Sequence, residues 1–439
     1  MRHALAISLW ILAAHTAHAY PIDGYEATGI ARLEAYRLVQ EGTVQGRKLP
    51  KGALLPSAGI RLLLVDRPDF EIPPADPALS AKLRGLLGGD APRYGVVLLD
   101  LSDPAHPRYA EHNPDVAQNP GSVGKLMVAL AWFQALADRH PDDLDARRRL
   151  LRETPIVADA FIQSDHHTVP FWKPGETRVV QRKIALGDRA NLWTYLDWMA
   201  SSSSNAAASM AQKHLLLQRG LGERYPVSEA EATAYLAQTP KAELGKLFAD
   251  AIQTPVTRNG LDLEHLRQGS FFSHVGKQRV PGTSSTATPR ELLRYLVKLE
   301  QGKLVDLFSS LEIKKLLYLT DRRIRYASSP ALEGAAVYFK SGSLYSCQPE
   351  PGFACGKYKG NVRNYMNSTA IVEVSERTPP LHYIAVVLSN VLRRNSAVEH
   401  QTLGTRIHRL VESLHPLEAA PAPAPVTTPL ERSADPAPR

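Results

Sequence analysis

Three short patterns of serine, lysine and asparagine combine the side chains that covalent acyl transfer requires. Each pattern occurs once in the 439-residue chain. Taken singly, each has an ordinary interpretation as a solvated lysine on a helix or as a polar loop between helices. Their order along the chain and their predicted settings make the combination specific. The patterns are Ser122-Val123-Gly124-Lys125, Ser203-Ser204-Asn205 and Lys340-Ser341-Gly342.

The spacing of the first pattern suits a nucleophile and its base. Residues three apart on a helix share a face, so the Lys125 amine can reach the Ser122 hydroxyl. A serine hydroxyl is a weak nucleophile, and a lysine takes its proton only where burial or a neighbouring positive charge disfavours the ammonium. We expect Lys340, on a strand facing the pocket, to supply that charge. We expect Ser203 to relay a proton to the leaving nitrogen, and Asn205 to hold a substrate amide and orient Lys125.

Apolar patterning predicts the elements that position these side chains. Residues 94–112 are typical of a β-hairpin, and a helix is predicted to begin near Ser122. A mostly helical stretch then runs to about Leu299. This order predicts an α/β (α+β) fold, in which an antiparallel sheet flanked by helices stands beside an α-helical lobe over about 122–299. Later strands are predicted at 335–342, 366–374 and 382–390, and a closing helix at 397–414.

The combination S-x-x-K, S-x-N and K-[ST]-G resembles the class A β-lactamase and penicillin-binding protein-like serine hydrolase superfamily. Residues 280–299, VPGTSSTATPRELLRYLVKL, are similar to the segment that in class A enzymes ends the Ω-loop and begins the helix before the K-T-G strand. The resemblance covers residues 92–414. It implies a class A β-lactamase or D,D-peptidase-like fold.

The resemblance also implies the catalytic roles. Ser122 is then the acylated nucleophile, Lys125 its base and Ser203 the proton shuttle. No metal ion and no cofactor is expected in such a site.

The resemblance implies substrate-binding roles for the remaining motif residues. Asn205 holds the substrate, and Lys340 with Ser341 anchors its carboxylate. Gly342 and Ser343 continue the same strand. The backbone N–H groups of Ser343 and of the nucleophile form the oxyanion hole.

One part of the class A pattern is missing from the sequence. Class A enzymes carry a glutamate, followed four residues later by asparagine, that activates the deacylating water. Ser273 stands at the corresponding distance before Pro281. The nearest upstream acid, Glu264, is followed four residues later by Gln268 and would need an insertion of about nine residues to take that place. The sequence therefore supports acylation better than deacylation.

Composition and the N-terminus indicate an exported globular protein. The chain is 44% hydrophobic, and its 52 Lys and Arg against 44 Asp and Glu give a net charge of +8 that is evenly spread. No nucleic-acid-binding face is expected from such a distribution. Residues 1–19 are typical of a secretory signal cut after Ala19, and their apolar stretch is too short to span a bilayer. We expect a periplasmic or secreted protein with no stable membrane anchor after cleavage.

The two cysteines, Cys347 and Cys355, lie close together in the sequence. In an oxidising compartment they are expected to form a disulfide, with two free thiols as the alternative. Two thiols alone would leave a tetrahedral metal ion half coordinated.

Two other groups of residues have structural interpretations. Asp165-His166-His167 lacks further ligands at a suitable spacing and is interpreted as a polar loop rather than a metal site. Trp193, Tyr195 and Trp198 have near-helical spacing and are expected to pack inside the helical lobe.

Four regions are predicted along the chain. They are a signal peptide (1–19), an N-terminal extension with a helical pattern at 29–40 (20–90), a serine hydrolase domain (91–415) and a disordered Pro/Ala-rich tail (416–439). The predicted function is an exported serine hydrolase that acylates Ser122 with a small-molecule β-lactam or a D-Ala-type amide of peptidoglycan peptide and then hydrolyses the ester. The alternatives are a penicillin-binding D,D-peptidase or cell-wall amidase with slow deacylation, a general esterase, and a non-catalytic peptidoglycan-binding domain.

Overall fold

A computed structural model describes residues 21–321 and 323–417. The predicted signal peptide and residues 418–439 of the predicted tail lie outside the described residues. The α-helices are α1 (Tyr25–Thr28), α2 (Ala31–Glu41), α3 (Pro77–Gly85), α4 (Lys125–Arg139), α5 (Leu144–Glu153), α6 (Leu192–Ala200), α7 (Asn205–Leu221), α8 (Glu229–Gln238), α9 (Lys241–Arg258), α10 (His274–Arg279), α11 (Pro289–Glu300), α12 (Leu307–Tyr318) and α13 (Ser396–Leu414). The strands are β1 (Tyr94–Asp100), β2 (Arg108–His112), β3 (Pro155–Val157), β4 (Val169–Phe171), β5 (Val180–Arg182), β6 (Arg189–Asn191), β7 (Leu266–Arg267), β8 (Thr286–Ala287), β9 (Ala336–Ser346), β10 (Arg363–Val374) and β11 (Leu381–Asn390).

The main sheet combines two early strands of the chain with three late ones. Its strand order is β2-β1-β11-β10-β9, with every neighbouring pair antiparallel. The hairpin predicted at 94–112 forms one edge, and β9, which carries the Lys340-Ser341-Gly342 pattern, forms the other. The antiparallel sheet and the later strands predicted from the sequence are therefore confirmed.

Both faces of the sheet are covered, which explains why its central strands β1 and β11 are buried along nearly their whole length. Successive side chains of a strand point to opposite faces. On β1, Val97 and Leu99 join the large apolar cluster that includes α4, whereas Val96 and Leu98 join a second cluster with α3 and α13. All seven residues of β1 are buried.

The predicted helical lobe contains short strand pairs as well as helices. The pairs β3–β6, β4–β5 and β7–β8 each involve only two or three residues per strand. Segments this short carry no alternating pattern, which is why the sequence predicts a mostly helical stretch there. None of the described helices has the length and apolar composition needed to cross a bilayer.

Residues before the sheet wrap around its helices and its edge. The Arg32 guanidinium on α2 donates two hydrogen bonds of 2.5 Å to the carboxylate of Asp197 on α6, and both side chains are almost completely buried. Further along, the Gly52 N–H donates to the Glu333 carbonyl at 2.9 Å. A Cβ on Gly52 would lie 1.9 Å from the Ala335 carbonyl oxygen, so only glycine allows this approach. The division of the chain at residue 90 stays a prediction.

Candidate active site

Ser122 lies in a tight turn where α4 meets the edge strand β9. Residues Gly121–Gly124 form a 3-10 turn that leads directly into α4. Gly121 has a φ of 53°. A Cβ on Gly342 would lie 2.1 Å from the Pro120 carbonyl oxygen and 2.5 Å from the Ser122 amide nitrogen. The strand can therefore pass Ser122 this closely only because residue 342 is glycine.

Lys125 begins α4 and connects two of the three sequence patterns. Its Nζ lies 2.9 Å from Ser122 Oγ, as the spacing predicts. It also lies 2.6 Å from the Ser203 carbonyl oxygen and 2.8 Å from Asn205 Oδ1, two acceptors to which it donates. The side chain is buried, with the residue only 2% exposed.

The surroundings of Lys125 favour a neutral amine. Burial is the main cause that lowers the pKa of Lys125 to about 7; the Asp165 carboxylate opposes this change and the Arg325 guanidinium adds to it. Arg325 is thus the cation that adds to the effect of burial on Lys125. Lys125 in turn lowers the pKa of Lys340, and the electrostatic role expected of Lys340 stays a prediction. A base whose pKa lies near neutral pH is suited to accept a hydroxyl proton.

Ser203 and Lys340 form the other half of the site. Lys340 Nζ donates to Ser203 Oγ at 2.8 Å. Burial, followed by Lys125 and Arg325, holds the pKa of Lys340 well below its usual value. Ser203 adopts a φ of 60°, a left-handed conformation that is uncommon for a residue with a side chain. The three patterns therefore meet at one place.

Ser341 and Ser343 lie on β9 beside this centre, and Arg325 binds both. The Arg325 guanidinium donates to Ser341 Oγ at 2.9 Å and to Ser343 Oγ at 3.1 Å. It also packs on the Tyr358 ring, 4.8 Å from the ring centroid. Sequence reasoning missed Arg325, because it belongs to no motif and reaches the strand through an irregular loop in which its own φ is 55°.

The cleft at this centre has a volume of about 760 Å³. The cleft extends from the helical lobe to the loop between β9 and β10, so this volume includes space well beyond the residues that contact Ser122. A ring of polar and cationic side chains lines it. They include Ser122, His166, Ser203, Asn205, Arg323, Arg325, Lys340, Ser341, Ser343, Lys357 and Gln401.

The position proposed for the oxyanion hole lies between two segments in close contact. A Cβ on Gly121 would come 3.0 Å from the Ser343 amide nitrogen. The turn that carries Ser122 and the strand that carries Ser343 are therefore adjacent. The assignment of the two N–H groups to an oxyanion stays a prediction.

Residues 264–273, which precede the segment that resembles the end of an Ω-loop, bring no carboxylate into hydrogen-bonding contact with Ser122. The Phe272 ring centroid lies 4.9 Å from Lys125 Nζ, and the Gln268 side-chain oxygen lies 2.0 Å from where a Cβ on Gly124 would stand. Ser273 accepts from the Gly276 N–H as the cap of α10, and Glu264 is exposed. Within residues 21–321 and 323–417, no carboxylate oxygen is hydrogen-bonded to Ser122 or to Lys125.

The Asp165-His166-His167 loop lies at the cleft with its carboxylate fully engaged. One Asp165 oxygen accepts from Ser204 Oγ at 2.8 Å and from the Ala206 N–H at 2.9 Å. The other accepts from the His167 N–H at 3.1 Å and contacts His167 Nδ1 at 2.6 Å. The three side chains are close enough to surround an ion. Because the carboxylate already has four partners, we identify no metal site here.

The other structural predictions for this region agree with the fold. Cys347 and Cys355 form a disulfide in the loop between β9 and β10, which confirms the pairing. Trp193, Tyr195 and Trp198 are all buried inside the helical lobe, as their spacing predicts.

Comparison with known proteins agrees with the three patterns. A model of the β-lactamase enzyme family matches residues 78–388, well over half of the chain. No curated protein sequence matches it. Among solved structures, it is similar to PBP-A, at 13% identity over 78% of this chain and 100% of that one, with a TM-score of 0.47. It is also similar to the TLA-3 extended-spectrum β-lactamase, at 13% identity over 76% of this chain and 98% of that one, with a TM-score of 0.49. A third similar structure is a β-lactamase from Sphaerobacter thermophilus DSM 20745, at 15% identity over 76% of this chain and 96% of that one, with a TM-score of 0.47. From the match to its model, this chain belongs to the β-lactamase enzyme family.

Proposed function

We propose that this protein is an exported serine hydrolase that forms an acyl-enzyme on Ser122 with a β-lactam or a D-Ala-type amide. One observation carries the proposal: a buried lysine amine with a pKa of about 7 lies 2.9 Å from the Ser122 hydroxyl. Without such a base a serine hydroxyl does not attack an amide at a useful rate.

Acylation can be followed atom by atom with the residues of the cleft. Lys125 takes the proton of the Ser122 hydroxyl, and Ser122 Oγ attacks the carbonyl carbon. The resulting oxyanion accepts hydrogen bonds from the backbone N–H groups of Ser122 and Ser343. As the C–N bond breaks, Ser203 gives its proton to the leaving nitrogen and is reprotonated from Lys125. An ester on Ser122 and a free amine result.

The other side chains bind and orient the substrate. Asn205 Nδ2 is available for the substrate amide while its Oδ1 accepts from Lys125. A substrate carboxylate would lie between Lys340, Ser341 and Arg325. Its negative charge would favour the charged form of Lys340, whose pKa burial and neighbouring cations hold low in the empty cleft. Binding and protonation of this anchor are therefore coupled.

Slow deacylation is the second candidate property, and it would make the protein a penicillin-binding D,D-peptidase or cell-wall amidase. The observation that favours it is the position of Gln268 and Phe272 beside α4, where no carboxylate of the described residues is bonded to the nucleophile. Hydrolysis of the ester needs a base to activate water. Ester hydrolysis would then depend on Lys125 alone.

Three measurements on the full mature chain test the proposal. Incubation with penicillin followed by mass spectrometry should show one adduct on Ser122. Nitrocefin should give a burst of one equivalent followed by slow turnover, and a muropeptide assay should show whether D-Ala is released. Absence of any adduct would favour the non-catalytic peptidoglycan-binding domain, whereas fast steady turnover of nitrocefin would favour a β-lactamase with an efficient base.

Export is proposed on the signal-like residues 1–19, with cleavage after Ala19. The Cys347–Cys355 disulfide supports a periplasmic or secreted location, since disulfides persist in oxidising compartments. Fractionation of cells and N-terminal sequencing of the mature protein test it.

Lys340→Ala is expected to reduce acylation by carboxylate-bearing β-lactams about 10- to 100-fold more than acylation by neutral p-nitrophenyl esters, because a charge-assisted hydrogen bond to the carboxylate is lost. The measurement is the second-order rate constant for each substrate. Lys357→Ala is the matched control, since Lys357 lines the same cleft but is exposed. An equal loss for the neutral esters would contradict the anchor assignment.

A further inference from the structure

The loop that carries Ser203 and Asn205 is held by a carboxylate from a different part of the chain. Asp165 accepts hydrogen bonds from Ser204 Oγ and from the Ala206 N–H, at 2.8 and 2.9 Å. Its side chain is 5% exposed. These two donors directly flank Asn205 in sequence. The carboxylate is thus hydrogen-bonded to the residues before and after Asn205, the residue that accepts a hydrogen bond from Lys125.

The sequence explains why an acid is needed at this place. The S-D-N pattern of class A β-lactamases has an aspartate between its serine and its asparagine. This chain has Ser204 at that position, and Ser204 Oγ is hydrogen-bonded to Asp165. In this chain the acid next to the serine and the asparagine therefore comes from the facing loop.

We infer that Asp165 is a positioning residue for acylation, which supplies from the facing loop the carboxylate that the S-D-N pattern carries within itself. The inference rests on the proposed function. It gives a role to a residue that belongs to none of the three sequence patterns.

Asp165 positions Asn205 through hydrogen bonds at the N-terminus of α7. Ser204 is the N-cap of α7, and its Oγ accepts from the Ala207 N–H at 3.1 Å. Asp165 accepts from the Ala206 N–H, another of the N–H groups that have no partner within a helix. A negative charge at a helix N-terminus is also favourable. Together they fix the first turn, and with it the direction of the Asn205 side chain.

The same carboxylate holds Ser203 in its left-handed conformation. Ser203 has a φ of 60°, and its carbonyl oxygen accepts from Lys125 Nζ at 2.6 Å. Such a conformation persists only where the surroundings impose it. Ser204, the next residue, is bonded through its side chain to Asp165, which in turn is fixed by two contacts to His167.

An electrostatic consequence allows the role to be measured. Among the described residues, the titratable or charged groups that interact with Lys125 are Asp165, Arg325, Lys340 and His167. Among them Asp165 is the carboxylate, and it raises the pKa of Lys125 against the effect of burial. Removal of its charge should lower that pKa further. Acylation requires neutral Lys125, so its rate falls at acidic pH. This acid limb of the pH–rate profile should then move to lower pH.

The test is Asp165→Asn in the full mature chain. Acylation by penicillin should fall about 100-fold, as expected for a misplaced catalytic group, and its acid limb should shift to lower pH. Asp159→Asn is the matched control, because Asp159 lies on the same connection and pairs instead with Lys213 at 2.5 Å. The control should keep the pH profile of the wild type.

The double variant D165S/S204D separates positioning from a general loss of stability. It restores one carboxylate facing one hydroxyl, whereas S204D alone places two carboxylates in contact. We expect the double variant to recover most of the acylation lost by D165S and S204D singly, and its melting temperature to exceed the value expected from adding the two single effects.

The outcomes distinguish this inference from the proposed function. A D165N protein with the acid limb of the wild type, or a double variant without recovery, would overturn the inference while leaving Ser122 acylation intact. A wild-type protein that forms no adduct would overturn the proposed function. In that case the melting temperatures of D165S, S204D and the double variant still test whether Asp165 positions the loop. Additive effects would show that Asp165 and Ser204 are not coupled and would overturn the inference.

Discussion

Ser122→Ala is expected to abolish covalent labelling by penicillin, with a fall in acylation rate of about six orders of magnitude. In the proposed reaction the Ser122 hydroxyl oxygen forms the ester, and the alanine side chain has no atom that could replace it. The measurement is the mass of the intact protein after incubation with penicillin. Thermal stability should change by only about 1 kcal/mol, because Lys125 keeps its two other acceptors, Ser203 O and Asn205 Oδ1.

Ser202→Ala is the matched control for this experiment. Ser202 lies in the same cleft, and its buried hydroxyl has no hydrogen-bond partner among the residues that the structure describes. The control should be labelled as fast as the wild type. An adduct on the Ser122→Ala protein would show that another residue is the nucleophile, and a large drop in its melting temperature would show that Ser122 has a structural role.

Lys125→Ala is expected to reduce acylation about 10²- to 10⁴-fold, the usual contribution of a general base. The same residue sets the pH dependence of the wild type. Because burial lowers the pKa of Lys125 to about 7, its neutral fraction grows as the pH rises through that value. Acylation should therefore fall about tenfold for each pH unit below 7 and reach a plateau above pH 8.

Rate constants for acylation between pH 5 and 9 check this dependence. A neutral p-nitrophenyl ester is the better probe, since its binding does not involve the carboxylate anchor at Lys340. In the Lys357→Ala variant the acylation rate should still fall below about pH 7, as in the wild type, because Lys357 is exposed at the rim of the cleft. A wild-type profile that is flat from pH 5 to 8 would show that Lys125 is not the base.

Local spacing was sufficient to predict the contacts that occur within one element or between regular ones. Ser122 and Lys125 lie one helical turn apart, so their contact follows from helix geometry. The pattern Lys340-Ser341-Gly342 lies on a strand, and its glycine is required by the approach of Pro120 and Ser122. Apolar patterning also predicted the strands of the main sheet, because most of them are long enough to form a recognisable apolar run.

The parts of the site that the sequence did not predict come from irregular loops. Arg325 and Asp165 reach the centre because of loop conformations, such as the φ of 55° at Arg325, that depend on tertiary contacts. Neither residue belongs to a pattern with a fixed offset from Ser122. Arg325 also lowers the pKa of Lys125, an effect that the sequence predicted from Lys340 alone. Side chains of this kind can be assigned only once the chain is folded.

The buried pair between Arg32 and Asp197 has a practical consequence for anyone who shortens the chain. A fragment beginning at residue 78, where the family match begins, would lack Arg32 and keep Asp197 on the helix just before Ser203. An uncompensated buried charge costs about 3–5 kcal/mol, against a typical total stability of about 5–15 kcal/mol. A fragment limited to the family-matched region should therefore lose a large part of its stability, and expression trials should keep residues 21–77.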